Sequence, residues 1–144
     1  MTQSLKPTLP CMCASLRRAS RAITQLYEDA LRPTGLRGTQ FTVLQTLSLA
    51  GEVTQGQLGE ILAMDSTTLT RTLNIMGRDG WIAKRRGEDR REWRMRLSKA
   101  GETQFKQASP HWKKAQTRLR QQLGAELSDN LMKLTQKITN ALTE

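Results

Sequence analysis

Hydrophobic residues recur along most of the chain at the three- and four-residue spacing of an amphipathic helix. The four longest stripes are bounded by glycine, proline or capping residues, and they cover residues 11–31, 39–49, 99–123 and 127–142. The third stripe contains Pro110, where we expect a kink and not a break because the pattern resumes beyond it. The chain is therefore predicted to be mainly α-helical.

Two shorter helices, joined by a tight break, are predicted in the middle of the chain. Thr54 and Gln57 have the spacing of a capping box that opens the first of them. Asp65 is a favourable N-cap for the second, which is expected to run to about Asp79 and to end at Gly80. Two helices in this arrangement are typical of a helix-turn-helix.

The pattern changes after this pair to the two-residue period of β-strands. Apolar residues alternate with arginines over 93–97, residues 81–85 predict a partner strand, and the turn between them is rich in arginine. The fold class that follows is mainly α with a small β-hairpin wing, which is a winged helix-turn-helix flanked by N- and C-terminal helices.

The charge of the chain favours an anionic partner. The 144 residues carry a net charge of +10 and only 37% are hydrophobic, so burial against a second copy is plausible. Residues 78–99 hold nine basic and four acidic side chains, which is half of the net charge. A basic cluster inside a folded region, unlike a basic tail, indicates a nucleic-acid footprint.

Composition argues against several other classes. The chain has a single histidine, His111, and no glycine-rich phosphate loop. We therefore expect no catalytic residues, no metal site and no cofactor, and we do not expect the protein to be an enzyme. No apolar run approaches the roughly 18 residues of a membrane span, and residues 1–13 do not have the pattern of a signal peptide. A cytoplasmic location is the default expectation.

The candidate DNA-binding residues fall in three groups. The outer face of the second short helix carries hydrogen-bonding side chains that can reach base edges in a major groove, and these are Ser66, Thr67, Thr70, Arg71 and Asn74. The wing offers Arg86, Asp89, Arg90 and Arg91. Further phosphate contacts are expected from Arg37, Gln55 and Arg78.

Four segments in this order resemble the MarR family of regulators: residues 62–73, Gly80-Trp81-Ile82, Asp89-Arg90-Arg91 and residues 97–101. The resemblance implies a homodimer whose terminal helices interlock and which presents two winged helices to a pseudo-palindromic site on double-stranded DNA. It also implies that Asp89 holds the wing by an ion pair while Arg91 reaches the DNA. The chain departs from the family pattern at Arg37, where threonine is usual, and at Trp81, where leucine is usual.

Cys11 and Cys13 admit two interpretations. The plainer one is that a cysteine is a small hydrophobic residue buried at the dimer interface. The other follows from the organic-hydroperoxide-sensing members of the family, whose reactive cysteine aligns with Cys13 and whose tyrosine partner aligns with Tyr27. A second tyrosine of that subgroup is Gly38 here, and Arg17 is a candidate for lowering the thiol pKa.

The sequence therefore predicts a DNA-binding regulator, most simply a repressor, that is released by a small phenolic or other aromatic effector or by thiol oxidation. Three parts are expected: an N-terminal arm and dimerisation helix (1–37), the DNA-binding domain (38–99) and C-terminal dimerisation helices (100–144). The alternative is a basic RNA-binding or architectural protein, although the aromatic residues that stack on RNA bases are few.

Overall fold

The computed structural model describes residues 7–143, which form a helical protein with one small sheet. Its helices are α1 (Met12–Leu31), α2 (Gly38–Ala50), α3 (Gln55–Leu62), α4 (Ser66–Arg78), α5 (Lys99–Leu123) and α6 (Ala125–Thr143), with a short 3-10 turn at Arg32–Thr34. Its strands are β1 (Val53–Thr54), β2 (Ile82–Arg86) and β3 (Trp93–Leu97). The predicted winged helix-turn-helix with flanking helices is confirmed.

Local capping defines the starts of the two short helices as predicted. Thr54 Oγ1 accepts a hydrogen bond from the backbone N–H of Gln57 (3.1 Å), and Gln57 Oε1 accepts one from the N–H of Thr54 (2.9 Å). Asp65 caps α4 by accepting from the N–H of Thr68 at 2.9 Å. Ala63 closes α3 with a left-handed backbone (φ +50°), and this residue makes the tight break between the two helices.

The sheet joins the wing to the helix-turn-helix. Its strand order is β1-β3-β2 and both pairs are antiparallel. Strand β1 was not predicted, since two residues are too few to show a periodic pattern. Its pairing of Val53 with Met95 ties the returning strand of the wing to the start of α3.

The hydrophobic core lies between α2, α3, α4, α5 and the sheet. Its largest fully buried side chains are Leu31, Phe41, Val43, Leu44, Leu58, Leu69, Leu73, Met76 and Met95. Phe41 packs against Phe105 and Trp112, with ring centroids 5.6 and 5.8 Å apart. Trp81 and Trp112 pack against the core, and Trp93 on the wing is exposed.

The start of α5 packs directly on the backbone at the beginning of β2. Ser98 caps α5 by accepting from the N–H of Gly101 at 3.0 Å, and its hydroxyl donates to the carbonyl of Gly80 at 2.5 Å. The N–H of Ser98 donates to the carbonyl oxygen of Trp81 at 3.1 Å. A Cβ atom at Gly101 would overlap with that same carbonyl oxygen, so only glycine fits there. Pro110 lies further along α5, which continues on both sides of it.

The terminal helices bury little of their apolar surface in a single chain. Leu31 is the buried residue of α1, and α6 buries none of its described residues. The exposed hydrophobic residues on these helices are Met12, Leu16, Leu127, Met132, Leu134, Ile138 and Leu142. Both helices therefore present apolar faces that the chain itself does not cover.

Candidate nucleic-acid interface

The outward face of α4 carries the predicted base-reading side chains. Ser66, Thr67, Thr70, Arg71 and Asn74 are all exposed, while Leu69, Leu73 and Met76 on the opposite face are buried. Asp65 at the N-terminus accepts from both the N–H and the hydroxyl of Thr68, and these bonds lower the pKa of its carboxyl group. The helix thus presents a rigid polar face to solvent.

Two of these side chains are held from neighbouring elements. Gln55, the first residue of α3, donates from Nε2 to the hydroxyl of Thr70 at 2.9 Å. Lys84 on β2 donates from Nζ to Oδ1 of Asn74 at 3.3 Å. These bonds bring Gln55, predicted as a phosphate contact, onto the same surface as the base-reading residues. Arg78, in the last turn of α4, is exposed near the wing.

The tip of the wing is organised by its own backbone and by a cation–π contact. The N–H of Gly87 donates to the carbonyl of Glu92 at 3.0 Å, which closes the hairpin. The Arg86 guanidinium lies 4.5 Å from the centre of the Trp93 ring and donates to the carbonyl of Arg90. These contacts hold Arg86 within the turn, while Arg90 and Arg91 are exposed.

Asp89 has a local role in this turn. Its carboxylate accepts the backbone N–H of Arg91 at 3.0 Å, and its carbonyl accepts the N–H of Glu92 at 2.9 Å. Within residues 7–143 the ion pairs do not include Asp89. The aspartate therefore shapes the turn through the backbone in this chain.

The carboxylate that pairs with wing arginines belongs to Glu52, which precedes β1. Its oxygens lie 2.5 and 3.0 Å from two nitrogens of Arg85, and 3.0 Å from Nε of Arg94. Hydrogen bonds from Arg85, then from Arg94, lower the pKa of Glu52. This group is not predictable from sequence spacing because the two arginines are 33 and 42 residues away along the chain.

A second carboxylate lies beneath the start of α2. Glu28 on α1 accepts the N–H of Gly38 at 2.8 Å and lies 3.4 Å from Nε of Arg37. Arg37, predicted as a phosphate contact, otherwise extends into solvent. Glu28 therefore links α1 to the exposed arginine that precedes α2.

Glu28 also lines a cavity of about 400 Å³ between α1, α2 and α5. The remaining lining is mainly apolar or aromatic and includes Tyr27, Phe41 and Trp112. Partial burial raises the pKa of Tyr27. Glu28 and Tyr27 are the ionisable groups among the residues that line this cavity.

Both cysteines are exposed. Cys11 is the N-cap of α1, where its Sγ accepts from the N–H of Ala14 at 3.5 Å. Cys13 and Tyr27 lie on the same helix, and 14 residues at 1.5 Å rise place them about 21 Å apart along its axis. A contact between this thiol and a tyrosine hydroxyl thus requires the tyrosine of a second copy.

The described residues contain neither a helix long and apolar enough to cross a membrane nor a group of three potential metal ligands.

Comparison with known proteins gives a consistent result. Residues 36–93 match the model of the MarR family. The chain is 32% identical over 92 residues to the HTH-type transcriptional regulator YwoH of Bacillus subtilis (strain 168), covering 64% of this chain and 67% of that protein.

Solved structures extend the similarity to nearly the whole chain. The M. tuberculosis transcriptional regulator MosR in complex with DNA is 34% identical, with a TM-score of 0.80 over 92% of this chain and 98% of that one. A mutant MarR from E. coli in complex with operator DNA shares the fold at 22% identity, with a TM-score of 0.79 over 88% of this chain and 92% of that one. Together with the winged helix-turn-helix described above, these matches show that the chain belongs to the MarR family of transcriptional regulators.

Proposed function

We propose that the protein is a repressor that binds a pseudo-palindromic operator as a homodimer. The observation that carries this proposal is the exposed polar face of α4 beside a wing whose tip exposes Arg90 and Arg91. A helix with such a face fits a major groove, and an adjacent basic hairpin fits the flanking phosphates or minor groove. The similar regulator MosR has been solved in complex with DNA, which supports DNA as the partner.

The homodimer is supported by the apolar faces that α1 and α6 leave uncovered. A stripe along α6 (Leu127, Leu131, Leu134, Ile138, Leu142) is continuous over four turns. We assign residues 1–37 and 100–144 to dimerisation and residues 38–99 to DNA binding. Two winged helices related by a two-fold axis then match two half-sites.

Two arginine variants test the DNA-binding surface. Arg71→Ala removes a side chain that reaches base edges, so it should weaken operator binding by about 1–3 kcal/mol and relax sequence preference. Arg91→Ala removes a phosphate contact, so it should weaken binding to all sequences and reduce the salt slope by about 1. Arg118→Ala, which removes an exposed charge from α5, is the matched control.

The measurement is fluorescence anisotropy on DNA fragments selected by pull-down with the purified protein, at several salt concentrations. Operator affinity and selectivity that stay unchanged in both variants would contradict the assignment. Equal affinity of the native protein for RNA, scrambled DNA and selected DNA would favour the alternative, a basic RNA-binding or architectural protein. A promoter–reporter fusion carrying the selected site then tests repression against activation.

Release by a small aromatic effector is supported by the cavity between α1, α2 and α5. The carboxylate of Glu28 at its wall repels anions, so we infer that uncharged or cationic aromatic molecules enter more readily than carboxylates. Phenol, benzylamine and benzoate should therefore be compared as probes by thermal shift and by release of bound DNA. If benzoate binds as tightly as benzylamine, the expected preference for uncharged or cationic molecules is contradicted.

Release by thiol oxidation is supported only by the exposure of Cys13 and by its alignment with the peroxide-sensing cysteine. Mass spectrometry after stoichiometric cumene hydroperoxide should find Cys13 oxidised as DNA is released, and Cys13→Ser should abolish that release. If DNA is released while Cys13 is still reduced, Cys13 is excluded as the sensor. The Cys11→Ser variant shows whether Cys11 contributes to the release.

A further inference from the structure

The base of the wing places two arginines side by side. In the antiparallel register of β2 and β3, Arg85 stands directly opposite Arg94. Like charges in this position destabilise a sheet unless a counter-charge lies between them. The counter-charge here comes from Glu52, outside the hairpin.

Glu52 engages both guanidinium groups at once. One carboxylate oxygen is shared by Arg85 and Arg94, at 2.5 and 3.0 Å, and the other lies 3.0 Å from Nε of Arg85. The two-point contact with Arg85 has the geometry in which guanidinium–carboxylate bonds are strongest. Only 24% of the Glu52 side chain and 32% of the Arg94 side chain are exposed, so these two are partly shielded from solvent, whereas the Arg85 side chain is 57% exposed.

The tip of the same wing is different. Arg90 and Arg91 are exposed, and the ion pairs found within residues 7–143 do not involve them. At the base of the wing, Arg85 and Arg94 thus share one carboxylate, which offsets one of their two charges. At the tip, Arg90 and Arg91 are free cations.

We propose that Glu52 is a positioning residue for DNA binding, which holds the base of the wing against β1 and keeps Arg85 and Arg94 away from phosphates. The wing then meets DNA through its tip, and its sequence-independent attraction is limited to the free arginines. This inference rests on the proposed DNA-binding function.

The Glu52→Gln variant tests the proposal because it keeps the size of the side chain and removes its charge. The freed guanidinium groups should bind phosphates, raising affinity for scrambled duplex DNA and steepening the salt dependence by up to about two units of slope. Preference for the operator over scrambled DNA should fall. Glu60→Gln, an exposed acid on α3 with the same change in net charge, is the control.

A second variant tests the proposal if Glu52→Gln folds poorly. This variant combines Arg85→Gln with Arg94→Gln and keeps the native Glu52. It removes two cations that are not expected to contact DNA. Its salt slope should stay close to that of the native protein. Adding both changes to Glu52→Gln should return the slope and the operator preference toward native values, a rescue that a purely structural role does not produce.

Anisotropy titrations of operator and scrambled duplex across a salt series give both readouts. A Glu52→Gln salt slope equal to that of Glu60→Gln overturns the proposal, as does a loss of about two units in the double arginine variant. If the native protein binds no duplex at all, the DNA-binding function fails instead, so the two failures are distinguishable.

Discussion

The winged helix and the terminal helices bury their hydrophobic residues to very different degrees. In the winged helix, α2, α4 and the sheet each have inward-facing apolar side chains, and nearly all of these side chains are fully buried. In α6 the apolar stripe is just as regular, yet Leu134 and Ile138 are 57% and 44% exposed. The same helical periodicity therefore corresponds to a buried core in the winged helix and to an exposed apolar face on α6.

This difference indicates which region is stabilised by contacts within one chain. The winged helix has such contacts, whereas the apolar faces of the terminal helices are left for the proposed second copy to cover. Apolar surface left in water contributes nothing to folding until it is covered. The winged helix buries its core within one chain, whereas in the proposed dimer the terminal helices gain stability on association. Substitutions in the two regions should consequently affect different measurements.

The largest effect is expected at the α6 face. Leu134→Asp removes about 2 kcal/mol of apolar burial per copy, or about 4 kcal/mol per dimer, and adds a charge to the interface. Analytical ultracentrifugation should show dissociation into monomers. Gln136→Asp, off the apolar stripe, should leave the dimer intact. Equal sedimentation of the two variants would contradict dimerisation through this face.

A substitution at the start of α5 should instead act inside one chain. Gly101→Ala brings a methyl group into the Trp81 carbonyl, and since neither backbone segment can move freely, we expect a loss of about 3 kcal/mol. Urea unfolding measures this loss. Gly77→Ala, in a helix with open space at its Cβ, should be neutral or stabilise by up to about 1 kcal/mol. A Gly101→Ala variant as stable as native would exclude this close contact.

Acidification should weaken the winged helix through its capped and paired carboxyl groups, with a smaller effect than either substitution above. The pKa values of Asp65 and Glu52 are lowered in the folded chain. Their stabilising contribution is present above the unfolded pKa values and is lost as pH falls through the folded ones, from about pH 5 downward. Asp65→Asn keeps an N-cap without a titrating group, so its melting temperature should fall less between neutral and acid pH. An identical pH profile for the variant would exclude Asp65 as a contributor.

The smallest effect is expected at the break between α3 and α4. Ala63 has a left-handed backbone, which costs about 1–2 kcal/mol for a residue with a Cβ. Ala63→Gly relieves this cost but makes the unfolded chain more flexible, so a net gain of about 0.5 kcal/mol is expected. Thermal unfolding should show a slightly higher midpoint, and a clear decrease would contradict the assigned backbone conformation.

Local chemistry was predictable from the sequence, and distant pairing was not. The capping residues Thr54 and Asp65 act on backbone groups three residues away, so their spacing alone identified the helix starts. The ion pairs of Glu52 and the pairing of β1 with β3 depend on contacts between segments that are far apart in sequence. Hydrophobic periodicity gives no information about such contacts.

The cysteines and the wing aspartate show a further limit. Cys13 aligns with the sensing cysteine of the peroxide-sensing subgroup and Tyr27 with its tyrosine partner, yet one helix holds these two residues far apart. Whether a second copy brings them together depends on the assembly. Asp89 was placed in the wing correctly, but its hydrogen bonds are to its own turn. In each case the position was predictable and the partner was not.

The backbone contact between Gly101 and Trp81 has a mechanical consequence. Side chains can rotate to absorb a small movement, but two main-chain segments in direct contact cannot. Helix α5 is 25 residues long, contains Pro110 near its middle and spans about 37 Å, from the wing at one end to α6 at the other. A tilt of about 5° at the α6 end moves the wing end by about 3 Å over that length. In the proposed dimer, the distance between the two wings is therefore set by the angle of α5.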